Sequence, residues 1–202
     1  DRNTLSFYTN QNHFDGGPLG AIRILYPDSP ELNLTQGLDL NFKNLNETYN
    51  FAFDHKFKKE GAKLLFEIDY NKFDEDENSR FSFSGNSGDF SDYRDFVNEK
   101  RENVTANLDV ENPVGENGKL EFGAEARILK TDDFFNSTSE MFDATTYNYN
   151  RDIYSLYSTY GQNFEKWSYQ LGARLESFKV DAIFNGENIF SDDYITLYPS
   201  GF

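Results

Sequence analysis

The sequence predicts an all-β chain: an antiparallel up-and-down transmembrane β-barrel, here a partial barrel of about eight strands from a larger one. Three observations lead there. Apolar and polar residues alternate along paired arms of about 10 residues, the length a tilted strand needs to cross a bilayer. Short turns alternate with long polar connections. The chain is polar on average, with a mean hydropathy of -0.75, yet carries 21 Phe and 13 Tyr. A disordered acidic chain would be poor in aromatics, so this one folds and spends much of its surface on polar groups. A closed sheet with a wet interior and an apolar exterior does both.

The elements follow in chain order within one segment, residues 1–202. The opening "NTLSFYTNQNHF" reads as a rising strand. Residues 14–45 contain "DGGP" and "YPDSP", which interrupt strands, and read as a long loop. A hairpin follows near 49–73. It places Tyr49, Phe51, Phe53, His55 and Phe57 on one face, then Leu64, Phe66, Ile68 and Tyr70 after the turn "KEGAK". Residues 74–101 read as a second long loop. The clearest hairpin lies near 103–130, where Val104, Ala106, Leu108 and Val110, then Leu120, Phe122, Ala124, Ala126 and Ile128, form a face without a charge. Successive strand side chains point to opposite faces, so this is a sheet with one dry and one polar side.

A third loop, 131–150, precedes a hairpin near 152–180. Its second arm is plain in Trp167, Tyr169, Leu171, Ala173 and Leu175. Its first arm is ambiguous, because Tyr154, Leu156 and Tyr160 compete with Ile153 and Tyr157 for the apolar side. A last loop, 181–193, leads to "YITLYPSGF", the start of another strand. A soluble antiparallel protein whose apolar faces pack together gives the same alternation. Strand length and loop asymmetry favour lipid.

The formal charge of -16 argues against nucleic acid, whose phosphates need lysine and arginine in excess. With no cysteine there is no disulfide framework, thiolate nucleophile or cysteine-type zinc site. The first residues lack a charged start followed by an apolar run, so the chain is expected to be mature or cut from a longer one. No G-x-S-x-G, phosphate-binding or dinucleotide fingerprint occurs, and the two histidines stand far apart. Catalysis and a cofactor are not expected.

The segments "FKKEGAKLLFEIDYNKFDEDENS", "RENVTANLDVENPVGENGKLEFGAEARI", "YSTYGQNFEKWSYQLGARLE" and "YITLYPSGF" resemble, in order over residues 45–202, the barrel of outer-membrane proteins from Bacteroidota in the TonB-dependent receptor superfamily. The resemblance implies a location in the outer membrane of a Gram-negative bacterium. It also implies a parent barrel closed by many more strands and plugged by an N-terminal domain. TonB, driven by the proton gradient, would act on that plug to import a nutrient such as a siderophore or glycan. The chain departs from that pattern in lacking a plug or a TonB-contacting start. Implied partners are outer-membrane lipid and lipopolysaccharide, the remaining strands and plug of a longer parent, and through it TonB and a surface lipoprotein. Two alternatives stay open: a small outer-membrane barrel with a structural, adhesive or docking role, and a soluble acidic β domain binding calcium or carbohydrate.

The polar face would carry Asp54, Glu67, Asp69, Asp109, Glu111, Glu121, Glu125 and Glu176 inward, against Lys56, Lys58, Lys119, Arg127 and Arg174. Burying an unpartnered carboxylate costs several kcal/mol, so a wide, wet or plugged lumen is expected. Asp74, Asp76, Asp132 and Asp133 sit at expected loop starts, where carboxylates can hold calcium. Solvated, mutually repelling loops are the simpler reading of the same residues. Phe57, Phe164 and Trp167 flank tight turns, and Tyr70 and Phe73 stand at the far ends of arms, as interface aromatics do. The loop aromatics Phe90, Tyr93, Phe96, Phe134, Phe135, Tyr147 and Tyr149 are candidates for ligand contact, or for packing the loops together.

Overall fold

Nine strands dominate the computed structural model, which describes residues 2–85 and 90–202. They are β1 (Asn3–Gly16), β2 (Leu19–Ile24), β3 (Leu34–Lys56), β4 (Lys63–Gly85), β5 (Tyr93–Val114), β6 (Gly118–Ser137), β7 (Thr145–Asn163), β8 (Ser168–Phe184) and β9 (Glu187–Gly201). All pairings are antiparallel, in the order β1-β3-β4-β5-β6-β7-β8-β9, with β2 also on β3; from β3 onward each strand pairs with the next in sequence. β1 and β2 lie end to end along β3: Gly16 faces Phe42 and Leu19 faces Asp39. Pro18, which has no N–H to give the ladder, breaks this edge strand, while its carbonyl still accepts from Leu40. The result is one open, single-layered up-and-down sheet of eight staves.

The connections correct the expected loops. Residues 34–45 are already β3, and most of 74–101 and 131–150 is β4, β5, β6 and β7; residues 86–89, inside the expected loop 74–101, lie outside the described residues. These stretches carry charges such as Asp74, Asp76, Lys100 and Asp132 on the face that is apolar in the clear hairpins, so they lack the apolar alternation that marks a membrane arm. They pair nonetheless, because backbone hydrogen bonds to neighbouring strands do not depend on which side chains face water. The expected loop 181–193 is a tight turn between β8 and β9. Asn185 and Gly186 both have positive φ, 48° and 80°, the conformation that asparagine-glycine adopts most easily in two-residue hairpins.

Register shows what the strands share. Leu5, Phe53, Phe66, Leu108, Ala124, Leu156, Leu175 and Leu197 form one cross-strand row, apolar throughout. Parallel rows on the same face contain Phe51, Ile68, Ala106 and Ala126, then Tyr49, Tyr70, Val104 and Ile128. Leu108, Phe122, Leu156 and Leu197 are 37%, 46%, 62% and 61% exposed, so no second layer of this chain covers them among the described residues. The ambiguous arm resolves the same way: Ile153 and Ser155 are buried on the polar face, and Tyr154 and Leu156 point out.

The apolar band runs obliquely across the strands. It begins at Tyr70 on β4, but the same row holds Lys179 on β8, where the band begins two rows later at Leu175. Two rows are four residues over the four steps from β4 to β8, or one residue per strand. With about 3.3 Å per residue and about 4.8 Å between strands, a level band requires a tilt of about 35°, the inclination of outer-membrane barrels. β3 and β4 each have 23 residues. At that tilt they rise about 60 Å against the apolar band of about 25 Å that a bilayer requires, so a membrane matched to the band would leave more than half of each strand beyond it. Among the described residues no helix is long and apolar enough to cross a membrane.

Candidate functional site: the polar face and its aromatic cup

The face opposite the apolar rows carries the charges expected to point inward, and the strands bring them into contact. Arg174 on β8 donates to Glu125 on β6 at 3.2 Å and 3.3 Å, to Glu176 at 3.1 Å and to Ser155 on β7 at 2.7 Å. Arg127 joins the cluster through Glu176 at 3.5 Å. Nearer the short turns, Glu111 on β5 is shared by Lys63 at 2.8 Å and Lys119 at 3.7 Å. Lys119 also pairs with Glu121, which accepts from Thr159 at 2.9 Å. Tyr157 donates to Asp109 across two strands, its ring lying over Gly123, where an added Cβ would meet the phenol carbon at 2.5 Å. On β3 and β4 the carboxylates have amides for partners: Asn50 donates to Glu67 at 2.9 Å and to Asp69 at 2.7 Å.

The alternation continues unbroken beyond the membrane band. Leu34 and Gln36, Phe81 and Phe83, Tyr93, and Phe135 therefore lie on the same polar side as Asn50, Glu67, Asp109 and Glu125. There, at the end of the sheet away from the short turns, aromatic rings replace charges. Phe81 stacks on Tyr93 with centroids 4.6 Å apart, Phe83 on Phe90 at 5.4 Å and on Tyr93 at 6.0 Å, and Phe142 tilts against Tyr93 at 6.1 Å. Phe83, Phe90, Tyr93 and Phe142, together with Ile24, Tyr26, Leu34 and Met141, line a cup of about 720 Å³, within the range of small-molecule sites. Phe90, Phe142, Tyr26 and Met141 are exposed.

Polar groups ring this cup: Gln36, Ser91, Asp92, Thr138, Ser139 and Glu140. Asp92 accepts from the backbone N–H of Phe83 at 3.0 Å and from Arg80 at 3.2 Å. The amide first and then the guanidinium hold its carboxyl below the usual carboxylate range. Burial, aided by Asp95, pushes the Tyr93 phenol up. On the same face of β6, burial also raises the Asp133 carboxyl.

Of the aromatics singled out in the sequence, Phe90 and Tyr93 line the cup, and Phe135 reaches it through Phe142 at 6.4 Å. Phe96 and Phe134 lie on the opposite side of the sheet, in a groove with Arg80 and Arg94. Tyr147 and Tyr149 share the cup's face but stand farther along β7. Phe83 and Phe142, which line the cup, were missed, as was Phe81, which stacks on Tyr93. "RFSFSG" is a plain alternation, but it falls inside a stretch that reads as loop. Phe73 lies on the polar side, opposite to Tyr70, so it is not an interface ring. Tyr49 and Tyr70 stack at 6.2 Å at one limit of the band, and Phe164 and Trp167 at 4.1 Å at the other. Asp74 and Asp76 point to the apolar side of the sheet, with Asp74 near Lys72 at 3.8 Å. Asp132 and Asp133 are adjacent on a strand and face opposite ways. Among the described residues no three acidic or histidine side chains are grouped as a metal site.

The architecture has a counterpart among known families: the model of the "Outer membrane protein beta-barrel family" matches residues 55–202. The chain belongs to that family. This outer-membrane barrel chain therefore resides in the outer membrane, a setting compatible with lipid contact by its exposed apolar rows. The soluble alternative is set aside. No match is found among curated proteins. Among solved structures the family member is similar to the ferric citrate transporter FecA in its unliganded form, with 9% identity, 98% of this chain and 33% of that chain covered, and a TM-score of 0.49. It is also similar to BauA, the ferric preacinetobactin receptor from Acinetobacter baumannii, with 10% identity, 98% and 44% covered, and a TM-score of 0.39. FauA, the alcaligin outer-membrane receptor from Bordetella pertussis, gives 9% identity, 98% and 40% covered, and 0.40. The chain thus spans a third to less than half of the length of these receptors.

Proposed function

We propose that these strands are part of an outer-membrane transporter barrel, of the TonB-dependent receptor kind, that imports a nutrient and performs no catalysis. One observation carries the reading: a single sheet has lipid-facing rows on one side and, on the other, an ion-pair network that opens into an aromatic cup beyond the membrane. A merely anchoring barrel needs the first feature and gains nothing from the second. The turns at 57–62, 115–117 and 164–167 then face the periplasm, and the cup and the Asn185–Gly186 turn face the medium. Both sheet edges, β1 with β2 and β9, carry unpaired backbone groups. Such edges do not persist in hydrocarbon, so in the membrane they pair with further strands of the parent. The lumenal clusters around Arg174 and Lys119 would contact a plug or the water beside it.

Cysteine is absent from the sequence, which allows single-site spin labelling in outer-membrane preparations. Leu108→Cys and Leu156→Cys labels should be accessible to oxygen and shielded from a water-soluble nickel complex. Asn107→Cys and Thr105→Cys should show the reverse. A label at Phe90→Cys should react with an impermeant reagent on intact cells, and loss of the cup aromatics should abolish nutrient accumulation. Equal accessibility on the two faces would sink the lumen reading, and an unreactive Phe90 position would sink the outward-facing mouth.

A further inference from the structure

We infer that the aromatic cup takes an uncharged carbohydrate, as opposed to an anionic metal chelate; this rests on the reading of the cup as the solute-binding mouth. Shape comes first. Phe83 lies within 27° of parallel to both Phe90 and Tyr93, at centroid distances of 5.4 Å and 6.0 Å. The array offers flat apolar surface beside a hydrogen-bonding rim of Gln36, Thr138, Ser139 and Glu140. A pyranose ring has matching chemistry: C–H faces that stack on aromatic planes and a perimeter of hydroxyls that need partners. Aromatic rings supply large contact area at low entropic cost, and the rim fixes orientation.

Charge then decides between solute classes. Among the described lining residues the carboxylates are Asp92 and Glu140, and none of the lining is lysine, arginine or histidine. Arg80, the cation in contact with the rim, is held by Asp92 at 3.2 Å. A multiply charged anion thus finds no bidentate clamp of the kind carboxylates require, and meets the field of a chain with a formal charge of -16. A cation finds a carboxylate already neutralised by Arg80 and only Glu140 beside it. A neutral polyol loses nothing to either sign.

The test uses the full-length barrel in detergent micelles, titrated calorimetrically with neutral hexasaccharides of glucose, mannose, xylose and N-acetylglucosamine, and with ferric citrate as the anionic probe. The expected result is binding of at least one oligosaccharide. Its affinity should fall at least tenfold in both Phe83→Ala and Tyr93→Ala, and change less than twofold between 50 and 500 mM sodium chloride. Heat-modifiable gel mobility checks that both variants remain folded. The Phe96→Ala variant, altered on the other side of the sheet, should bind as wild type. Ferric citrate binding that depends on Phe83 and Tyr93, without sugar binding, overturns the solute class and leaves the mouth in place. Sugar binding indifferent to both substitutions overturns the cup as its site. A folded barrel that binds none of the probes overturns the carbohydrate assignment, whereas an unreactive Phe90→Cys on intact cells overturns the mouth itself.

Discussion

Replacing Leu108 with arginine separates a lipid-facing sheet from a water-facing one. Leu108 is 37% exposed and sits in the row that includes Phe66, Ala124 and Leu156. Val104 is four residues away on the same strand, at the Tyr70 limit of the band. Four residues at about 3.4 Å, projected at a tilt of about 35°, separate the two by about 11 Å of depth. Leu108 is thus near the middle of a band of about 25 Å, and Val104 near its edge. Arginine at the bilayer midplane costs about 2–4 kcal/mol, falling to about 0–1 kcal/mol near the interface. Leu108→Arg should therefore lower the folding equilibrium constant about 30- to 700-fold, and Val104→Arg by less than about tenfold. In water a partly exposed leucine changed to arginine would cost within about 0.5 kcal/mol at either site. The assay is urea-induced unfolding of the full barrel from phosphatidylcholine vesicles, read by fluorescence and by heat-modifiable mobility. Equal costs at positions 104 and 108, or a Leu108→Arg barrel as stable as wild type in vesicles, would refute the depth assignment.

The remaining expectations concern the other face, the turns and the cup. Arg174→Met leaves Glu125 and Glu176, whose side chains are 20% and 14% exposed, with Arg127 as their remaining cation. It should cost about 1–3 kcal/mol in the same assay, as loss of a charge-assisted partner does, whereas Lys119→Met, at a side chain 52% exposed, should cost under about 1 kcal/mol. Gly123→Val places a side chain where the Tyr157 ring and the Leu108 carbonyl already stand. It should lose about 1–3 kcal/mol, and Tyr157→Ala made in the same chain should recover part of that loss. Gly186→Ala, at φ 80°, should cost about 1 kcal/mol by backbone strain alone. The Asp92 carboxyl is held below its usual range by the Phe83 amide and Arg80. Its contribution is therefore complete above the ordinary carboxylate pKa and disappears as pH falls through the lower, folded value. Hydrogen exchange at the Phe83 amide, corrected for intrinsic rates, should show constant protection from pH 7 to 5 and a loss only in strong acid, and a loss near neutrality would contradict that order.

The alternation at 103–130 by itself determines strands, two unlike faces and a membrane-length arm, because period-two patterning is local and a lipid-facing side must be apolar at every second residue. The inward list from Asp109 to Glu176 was legible for the same reason. Register was not: nothing in the spacing of Arg174 and Glu125, 49 residues apart, says that β6, β7 and β8 set them within 3.2 Å. The outer halves of β3 to β7 were also hidden, since there the face that is apolar in the band carries charges such as Asp74, Lys100 and Asp132, and the aromatic rings stand on the opposite face. The Asn185–Gly186 turn was written in plain sight and was masked by its acidic neighbours. Phe83 and Phe142, whose positions differ by 59 in the sequence, became parts of one cup only because antiparallel pairing returns the chain to the same level at each second strand. Local chemistry fixed which way each side chain faces; the hydrogen-bonded ladder, a long-range property, decided which of them meet.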